Sequence, residues 1–391
     1  METGLERVHG IQITQTKYRV NMNAFFGDAC EDIDKYVESI IKEQNYPLEK
    51  HTVTTEDGYV NSMYRIPYGK KTSSQNGTPG PPVLLLHDEG FDVWLPNTRG
   101  TTFSRKHKKF DADEDKHDYW NFSWHEIGTY DTPAFIDHIL QVTGFEKLHF
   151  VGHSQGATTF AVFLSERPQY NDKIALSCLL GAPIIFQNNT SHRVTIISKL
   201  FIQTIEIAHR YFGLSIHQMP FVSLMRTIGQ YVKPNSLLAE LYGTFFSLVA
   251  GNPNVEQISD MDIQKISITT PNSFSIQQPY HYLQVIRSGR FAKYDYGPDK
   301  NNRIYGSTTP PLYDLSKIRA PVALFSSKND MYFNPKDEEK LEEMLSNVVY
   351  KHLVEDELFN HADFLFAKDS IELVYSHMVK LMKQYNPVKY L

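Results

Sequence analysis

The sequence is poor in cysteine. Only Cys30 and Cys178 occur in 391 residues. Cys178 lies in the apolar stretch IALSCLLGAP, and a cysteine in such surroundings usually behaves as a small buried hydrophobic residue with a free thiol. We therefore predict a free buried thiol at Cys178 rather than a disulfide between the two cysteines.

The sequence also lacks an excess of positive charge. Its formal net charge is −6, with 39 basic and 45 acidic side chains, and the acidic residues are scattered. A nucleic-acid-binding protein needs a basic face to neutralise phosphates. Nucleic acid is therefore excluded as an expected partner.

Long hydrophobic runs are missing as well. The first residues, METGLERVHGIQITQTKYRV, contain no apolar segment of the kind found in a secretory signal, so none is expected there. The most apolar stretch elsewhere, residues 237–249, is interrupted by Glu240, Gly243 and Thr244. It is shorter than the roughly 20 residues that span a bilayer, so no transmembrane segment is predicted.

What the sequence does contain is a pattern of strands and helices. The chain is 41% hydrophobic, enough for a large core. Residues 49–69 predict a hairpin that turns at Asp57-Gly58. Short apolar runs, typical of strands buried on both faces of a parallel sheet, occupy residues 83–86, 91–95, 148–151, 175–180, 322–326 and 349–354.

Helical patterns separate several of these strands. They are YDTPAFIDHILQVTG, which should end at Gly144, then NPKDEEKLEEMLSNV and SIELVYSHMVKLMKQY. The alternation predicts an α/β fold with a mostly parallel central sheet flanked by helices. Apolar residues at helical spacing in residues 186–290 predict a helical cap inserted over a site, with a second helical layer of the core as the alternative. We expect an N-terminal extension at 1–44 and two segments of the α/β core at 45–185 and 291–391.

The most informative motif is Gly152-His153-Ser154-Gln155-Gly156. An apolar strand precedes it and a helical pattern follows it, which is the strand–turn–helix context of a G-x-S-x-G nucleophile elbow. The turn is sharp and the helix runs close to the strand, so we expect both glycines to be required. Ser154 is the predicted nucleophile.

A serine nucleophile needs a base and an acid that orients the base, and in this motif the chain order is serine, acid, histidine. Asp330 follows the buried strand at 322–326, and His361 lies in a loop after the next strand. We predict that His361 takes the proton of Ser154 and that Asp330 holds the imidazole in the correct tautomer. The acidic cluster at 111–118 lacks the glycine and glutamate of a calcium loop, so it is interpreted as surface, and no metal site is predicted.

These stretches resemble the acid lipases, typified by gastric and lysosomal acid lipase, which have the α/β-hydrolase fold. The resemblance rests on TEDGYV, GFDVWLPNTRGTTFSRKHKKF, YWNFSWHEIGTYDTPAFIDHIL, VGHSQGATTF, QVIRSGRFAKYDYG, NDMYFNPKD and NHADF, in that order over residues 45–385. It places nucleophile, acid and base on Ser154, Asp330 and His361. It also implies hydrolysis of neutral lipid esters, triacylglycerol or steryl ester, at a lipid–water interface without a cofactor.

The resemblance further implies a secreted or lysosomal glycoprotein, and sequons stand at Asn76, Asn121, Asn188 and Asn189. The cysteine pair common in the cap of vertebrate members is absent, so no disulfide is carried over to this chain. A thioesterase or a peptidase on the same scaffold is a more distant alternative, since a fold does not choose its acyl substrate.

One departure from the family pattern bears on activity. In the family a glycine and an apolar residue follow the first buried strand, and the backbone N–H of the apolar residue helps form the oxyanion hole; a helix-bearing crossover comes next. Here His87 joins Asp88 directly. Gln155 still offers one N–H donor, but the second donor has no matching residue. A catalytically impaired protein that binds lipid or a partner is therefore the alternative function.

The same junction is short for its place in the fold. Parallel neighbours normally need a connection of roughly a dozen residues or more, whereas His87, Asp88, Glu89 and Gly90 alone separate the two apolar runs. We therefore predict that one strand is shortened, displaced or unpaired and that residues 86–92 are distorted.

Overall fold

The computed structural model describes residues 29–69, 80–84, 91–188, 231–232, 236–238, 240–241, 251 and 272–387. The strands of this part are β1 Glu49–Thr54, β2 Tyr59–Ile66, β3 Pro82–Leu84, β4 Asp92–Pro96, β5 Lys106–His107, β6 Leu148–His153, β7 Ile174–Leu180, β8 Val322–Ser326 and β9 Val348–Leu353. Its longer helices are α1 Ala29–Glu43, α2 Thr132–Thr143, α3 Gln155–Glu166, α4 Gln277–Ser288, α5 Pro298–Tyr305, α6 Pro335–Met344 and α7 Ser376–Gln384.

Shorter helical turns connect these elements. They are α-helical at Lys116–Tyr119, Trp124–Glu126 and Asp363–Phe366, 3-10 at Pro168–Lys173 and Leu315–Lys317, and π-helical at Ile127–Asp131 and Ile371–Tyr375. The two π turns lead directly into α2 and α7. The third predicted helix, SIELVYSHMVKLMKQY, is therefore a π turn followed by an α-helix.

The strands form one sheet in the order β1-β2-β4-β3-β6-β7-β8-β9, with β5 added to β2. β2 runs antiparallel to β1 and β4, and every pair from β4 to β9 is parallel. The predicted mostly parallel sheet is confirmed. The predicted hairpin is confirmed too, since β1 and β2 pair around Asp57-Gly58 and the Thr55 N–H donates to the Tyr59 carbonyl at 2.9 Å.

The two faces of the sheet are buried by different helices because successive side chains of a strand point to opposite sides. On one face Phe150 and Leu324 join a core with Phe135 of α2 and Phe160 of α3. On the other face the next residues along these strands, Val151 and Phe325, join a core that includes Met378 and Met382 of α7. Burial on both faces explains the continuous apolar runs of β6, β7 and β8.

The ends of α2 and α6 carry residues that commonly start or terminate helices. α2 begins with Pro133 in its first turn and ends at Gly144, which has φ 70° and donates its N–H to Leu140. A left-handed glycine is a common helix terminator because it lacks a Cβ. α6 begins after Asn334, whose side chain accepts from the Lys336 N–H. Both helices were predicted from the sequence.

The short junction lies between β3 and β4, which pair in parallel from Pro82 with Asp92 to Leu84 with Trp94. Neither strand is unpaired over these residues. The predicted first strand ran from 83 to 86, whereas β3 is given as Pro82–Leu84. Residues 85–90, on which most of the predicted distortion falls, lie outside the described residues, and Asp92 is a regular strand residue.

A buried ion pair fixes the start of β4. Arg65 of β2 donates to both carboxylate oxygens of Asp92, at 2.9 and 2.8 Å, and the Asp92 side chain has no exposed surface. Such bidentate pairs are geometrically specific. The pair therefore holds β4 against β2 independently of the junction that precedes it.

The predicted cap range lies mostly outside the described residues. The described part includes α4, which packs on the hydrolase core: Val285 belongs to the core cluster, and the Tyr282 hydroxyl donates to Thr158 of α3 at 2.8 Å. The predicted N-terminal extension contains α1, a helix that the sequence analysis does not predict.

Candidate active site

Ser154 stands at the turn between β6 and α3. Its φ is 53° and its ψ is −118°, and Asn45 is the other non-glycine residue with a positive φ in the described ranges. The Ser154 N–H donates to the Leu180 carbonyl at the end of β7 at 3.0 Å, and its carbonyl accepts from the Ala157 N–H at 2.9 Å. A non-glycine residue held in this sparsely populated region is typical of functional sites. The predicted strand–turn–helix context is confirmed.

The two motif glycines are not equivalent. A Cβ at Gly152 would lie 2.7–2.8 Å from backbone atoms of Gly156 and Ala157, so a side chain there would push α3 off the strand. At Gly156 a Cβ would meet no described atom within 4 Å. Close packing against the described atoms therefore accounts for the glycine at Gly152, whereas the requirement for glycine at Gly156 stays a prediction.

Asp330 and His361 meet at the carboxyl edge of the sheet. His361 Nδ1 lies 2.7 Å from Asp330 Oδ2, with the side chains 9% and 1% exposed. The other carboxylate oxygen, Oδ1, accepts from the Tyr332 N–H at 2.8 Å. The acid is held at both oxygens, so it fixes the imidazole with a proton on Nδ1 and leaves Nε2 to accept a proton.

Two asparagines hold the loops that carry this pair. Asn329 Nδ2 donates to the Leu358 carbonyl at 2.6 Å and so joins the Asp330 loop to the His361 loop. Asn360 Oδ1 accepts from the Ala362 N–H at 2.8 Å, and the Asn360 N–H donates to Asp363 at 2.8 Å. Burial raises the pKa of Asp363 to about 6, although the Asn360 N–H opposes that shift.

Gly181 lies next to the Asp330–His361 pair, and the sequence analysis does not predict its role. It follows β7 with φ 51°, and a Cβ there would lie 2.7 Å from Asp330 Oδ2 and 3.0 Å from His361 Nδ1. The signal was present, because a glycine follows a buried strand at the edge where the carboxyl ends of the parallel strands meet. Its neighbours across the sheet could not be known before the loops were placed.

Ser154 is tied to the same edge from two sides. Its N–H bonds to Leu180, the residue before Gly181, and its neighbour His153 contacts the His361 backbone through Nε2 at 2.8 Å. Within the described part of the chain no hydrogen bond joins the Ser154 hydroxyl to His361. Catalytic hydrogen bonds are often long before substrate binds, so the arrangement is compatible with proton transfer from Ser154 to His361.

Gln155 provides a candidate oxyanion donor. It is the first residue of α3, and the first N–H groups of an α-helix have no acceptor within the helix. Its side chain donates to Gln278 Oε1 of α4 at 2.7 Å, so the side chain is held away from its own backbone N–H. The residues that would supply a second donor, 85–90, are outside the described part.

One residue of the predicted cap range touches both catalytic loops. Gly251 is buried with φ 125°, and a Cβ on it would lie 2.4 Å from the Asn329 carbonyl oxygen and 3.1 Å from Asn360 Cβ. These asparagines immediately precede Asp330 and His361. The contact places one residue of the predicted cap range against the site.

Outside this site the residues singled out in the sequence have plain structural roles. Cys178 is a free, fully buried thiol, and burial raises its pKa. The acidic cluster lies on the surface, where Asp111 accepts hydrogen bonds from the N–H groups of Asp113 and Glu114, and these bonds lower the pKa of Asp111.

Among the residues described, no group of three or more histidine, cysteine or acidic side chains could hold a metal ion. None of the described helices combines the length and apolar character of a membrane-spanning segment.

The strand order and the serine elbow define the chain as an α/β-hydrolase. Residues 80–201 match a family described as the alpha/beta hydrolase fold. Residues 37–88 match a family described as a partial alpha/beta-hydrolase lipase region. The second match ends at the junction where the sequence departs from the acid lipase pattern.

Named relatives match over most of the chain. Lipase 1 of Drosophila melanogaster is 38% identical over 370 residues, covering 90% of this chain and 80% of the relative. Human lipase member K is 31% identical over 383 residues, covering 92% and 93%. Gastric triacylglycerol lipase of Bos taurus is 31% identical over 375 residues, covering 89% and 91%. The chain belongs to the acid lipase family and is a carboxylic-ester hydrolase.

Proposed function

We propose that the chain hydrolyses neutral lipid esters, triacylglycerol or steryl ester, through an acyl-enzyme on Ser154. The observation that carries the proposal is the Asp330–His361 pair, joined at 2.7 Å beside a serine with positive φ at the same edge of the sheet. The lipid class rests on relatives such as the one named gastric triacylglycerol lipase. Exposed apolar side chains in the described part of the cap range, Leu237 and Leu241, suit a lipid–water interface.

The proposed reaction has two half-reactions. His361 Nε2 takes the Ser154 proton as Oγ attacks the ester carbonyl, and the oxyanion accepts the Gln155 N–H. His361 then gives that proton to the leaving alcohol, and the acyl group stays on Ser154. A water molecule, deprotonated by His361, attacks the acyl-enzyme and releases the fatty acid. Asp330 stays ionised and orients the imidazole, which becomes positively charged twice in each cycle.

Ser154→Ala tests the proposal. The substrates are an emulsion of a long-chain triacylglycerol and soluble p-nitrophenyl butyrate. Loss of a serine nucleophile typically lowers kcat by about 10⁴-fold or more, so turnover of both substrates should disappear. The matched control is Ser165→Ala at the far end of α3, whose hydroxyl donates to the Asp314 carbonyl at 3.1 Å. It should keep wild-type turnover. Unchanged hydrolysis in Ser154→Ala would contradict the proposal.

A second candidate function follows from the junction after β3. If Gln155 supplies the sole oxyanion donor, the rate falls by about 10²–10³-fold relative to a complete hole. The chain would then act as an impaired hydrolase that binds lipid or a partner. Turnover of the wild type within about tenfold of a family member with a complete hole, abolished in Ser154→Ala, would exclude this alternative.

We further propose a secreted or lysosomal location. Among the described sequons, the Asn121 side chain is exposed, whereas the Asn188 side chain donates to the buried Asp337 at 2.9 Å. Asn121 is therefore the accessible acceptor of the two. A glycosidase-sensitive mass on the Asn121 peptide of the native protein would support this location, and an unmodified peptide from every preparation would count against it.

A further inference from the structure

We infer that His153 is a positioning residue for the general base: its ring donates a hydrogen bond to the backbone carbonyl of His361 and thereby fixes the loop that carries the imidazole. The inference rests on the proposed role of His361. His153 Nε2 lies 2.8 Å from the His361 carbonyl oxygen. A carbonyl oxygen only accepts, so Nε2 must carry the proton.

The contact joins two parts of the site that come from distant parts of the chain. His153 is the last residue of β6 and directly precedes Ser154, whereas His361 lies in the loop after β9. One hydrogen bond therefore connects the side chain of the residue before the nucleophile to the backbone of the base. A displacement of about 1 Å at a reacting group can cost about 100-fold in rate, so this connection bears on catalysis.

Packing reinforces the hydrogen bond. The two imidazole rings lie with centroids 4.6 Å apart and planes tilted by 39°, and Phe364 lies 5.9 Å from the His153 ring. The His361 ring also contacts Tyr332 in an edge-type arrangement, with ring centroids 4.8 Å apart. Asp330 fixes Nδ1, and both His153 and Tyr332 contact the ring, so the remaining movement of His361 is restricted.

The protonation state of His153 suits this role. Burial, and to a smaller extent the charge of His361, lower its pKa to about 3, while its bond to the His361 carbonyl opposes the shift. The ring is thus neutral wherever His361 must become positively charged during turnover. A cation at position 153 would repel the imidazolium that each half-reaction forms.

The test compares three replacements of His153, of which only one can donate a hydrogen bond. Gln in His153→Gln can donate to the His361 carbonyl, whereas Met in His153→Met cannot, and His153→Phe keeps a ring without a donor. The matched control is His352→Phe, because His352 Nε2 also lies 2.7 Å from a backbone carbonyl, that of Leu373, outside the site.

The readouts are kcat and KM for p-nitrophenyl butyrate and the NMR signal of the proton between His361 Nδ1 and Asp330. We expect kcat to fall about 10- to 100-fold in His153→Met and His153→Phe with KM within about twofold. His153→Gln should stay within about fivefold of wild type, and His352→Phe should be unchanged. The proton signal, assigned by its loss in His361→Gln, should persist in wild type and His153→Gln and broaden away in the two donor-free variants.

Equal kcat in His153→Gln and His153→Met would overturn the inference. If the wild type shows no turnover that depends on Ser154, the proposed function fails instead, and the proton signal decides the inference alone. A signal equally sharp in His153→Met and wild type would then refute it. Its selective loss in the donor-free variants would support it.

Discussion

At the scale of single residues, the site depends on where side chains are missing as much as on where they are present. Gly152 lets α3 approach β6, and Gly181 leaves room for Asp330 and His361 to meet. Asp330 is held at both oxygens and His361 at Nδ1 and at its carbonyl. The Asp330–His361 pair is thus held in place by contacts that cannot be read from the sequence motifs alone.

Gly181→Ala, compared with a matched control, should separate the steric effect of a side chain on the Asp330–His361 pair from the backbone strain of a positive φ. The new Cβ would lie 2.7 Å from Asp330 Oδ2, so the pair must shift, and we expect kcat to fall about 10- to 100-fold. The matched control is Gly144→Ala: its φ of 70° is similar, but a Cβ there meets nothing described within 4 Å. Both variants should lose about 1–2 kcal/mol of unfolding free energy to the left-handed backbone.

The measurements are kcat for p-nitrophenyl butyrate and thermal unfolding. Gly144→Ala should keep the wild-type kcat despite its lower stability. A Gly181→Ala protein with unchanged kcat would show that the pair tolerates the added methyl group and that Gly181 is a backbone requirement only.

At the scale of secondary-structure elements, the sequence predicted most of what positions the site. Strands buried on both faces leave continuous apolar runs, so β6, β7 and β8 could be placed within about two residues of their observed bounds. The edge strand β9 was placed one residue too far along the chain. α2 was bounded correctly because Gly144 ends it. Ser154, Asp330 and His361 could be chosen because each follows a strand at the carboxyl edge.

Other features could not be read from local patterns. β5 is two residues long and exists through its pairing with β2. The roles of Gly181 and His153 depend on loops about 150 to 210 residues further along the chain. The different demands on Gly152 and Gly156 depend on the path of α3. All of these features depend on contacts between segments that are distant in the sequence, and hydrophobic periodicity does not predict such contacts.

β3 and β4 pair regularly in the sheet although the segment that connects them is unusually short. The register from Pro82–Asp92 to Leu84–Trp94 is regular, and Arg65 binds Asp92 with a two-point contact. The start of β4 is thus specified by its neighbours in the sheet. Asp330 and His361 follow later strands, so their pairing does not depend on the connection between β3 and β4.

At the scale of the whole molecule, buried histidines make the stability sensitive to acid. His149 of β6 has no exposed surface, and neither of its ring nitrogens has a hydrogen-bond partner among the residues that the structure describes. Burial lowers its pKa from 6.5 to about 4. The unfolded chain therefore takes up a proton at higher pH than the folded chain. The stabilisation is fully present above about pH 6.5 and is lost as the pH falls towards 4.

His149→Leu should make the free energy of unfolding less dependent on pH between about pH 6.5 and pH 4. A shift from 6.5 to about 4 corresponds to about 3 kcal/mol, so the wild type should lose roughly that much more than the variant between pH 7 and pH 4. Urea unfolding at a series of pH values gives the difference. Asp363, whose pKa is raised to about 6, acts in the opposite direction in both proteins and cancels in the comparison.

The control for this prediction is His117→Asn, which removes a histidine whose side chain is 82% exposed. Its unfolding free energy should follow the wild-type pH dependence. A His149→Leu protein with the same pH dependence as wild type would mean that the buried imidazole is not held neutral by the fold.

The account as a whole assigns the reaction to one serine. The most direct test is intact-mass analysis after incubation with an alkyl p-nitrophenyl phosphonate, which transfers its phosphonyl group to a serine activated by a neighbouring histidine. We predict one added phosphonyl group per chain, located by peptide mapping at Ser154 and absent in His361→Gln. An unmodified mass, or a label on another residue while Ser154 stays free, would contradict the assignment of Ser154 and His361 as nucleophile and base.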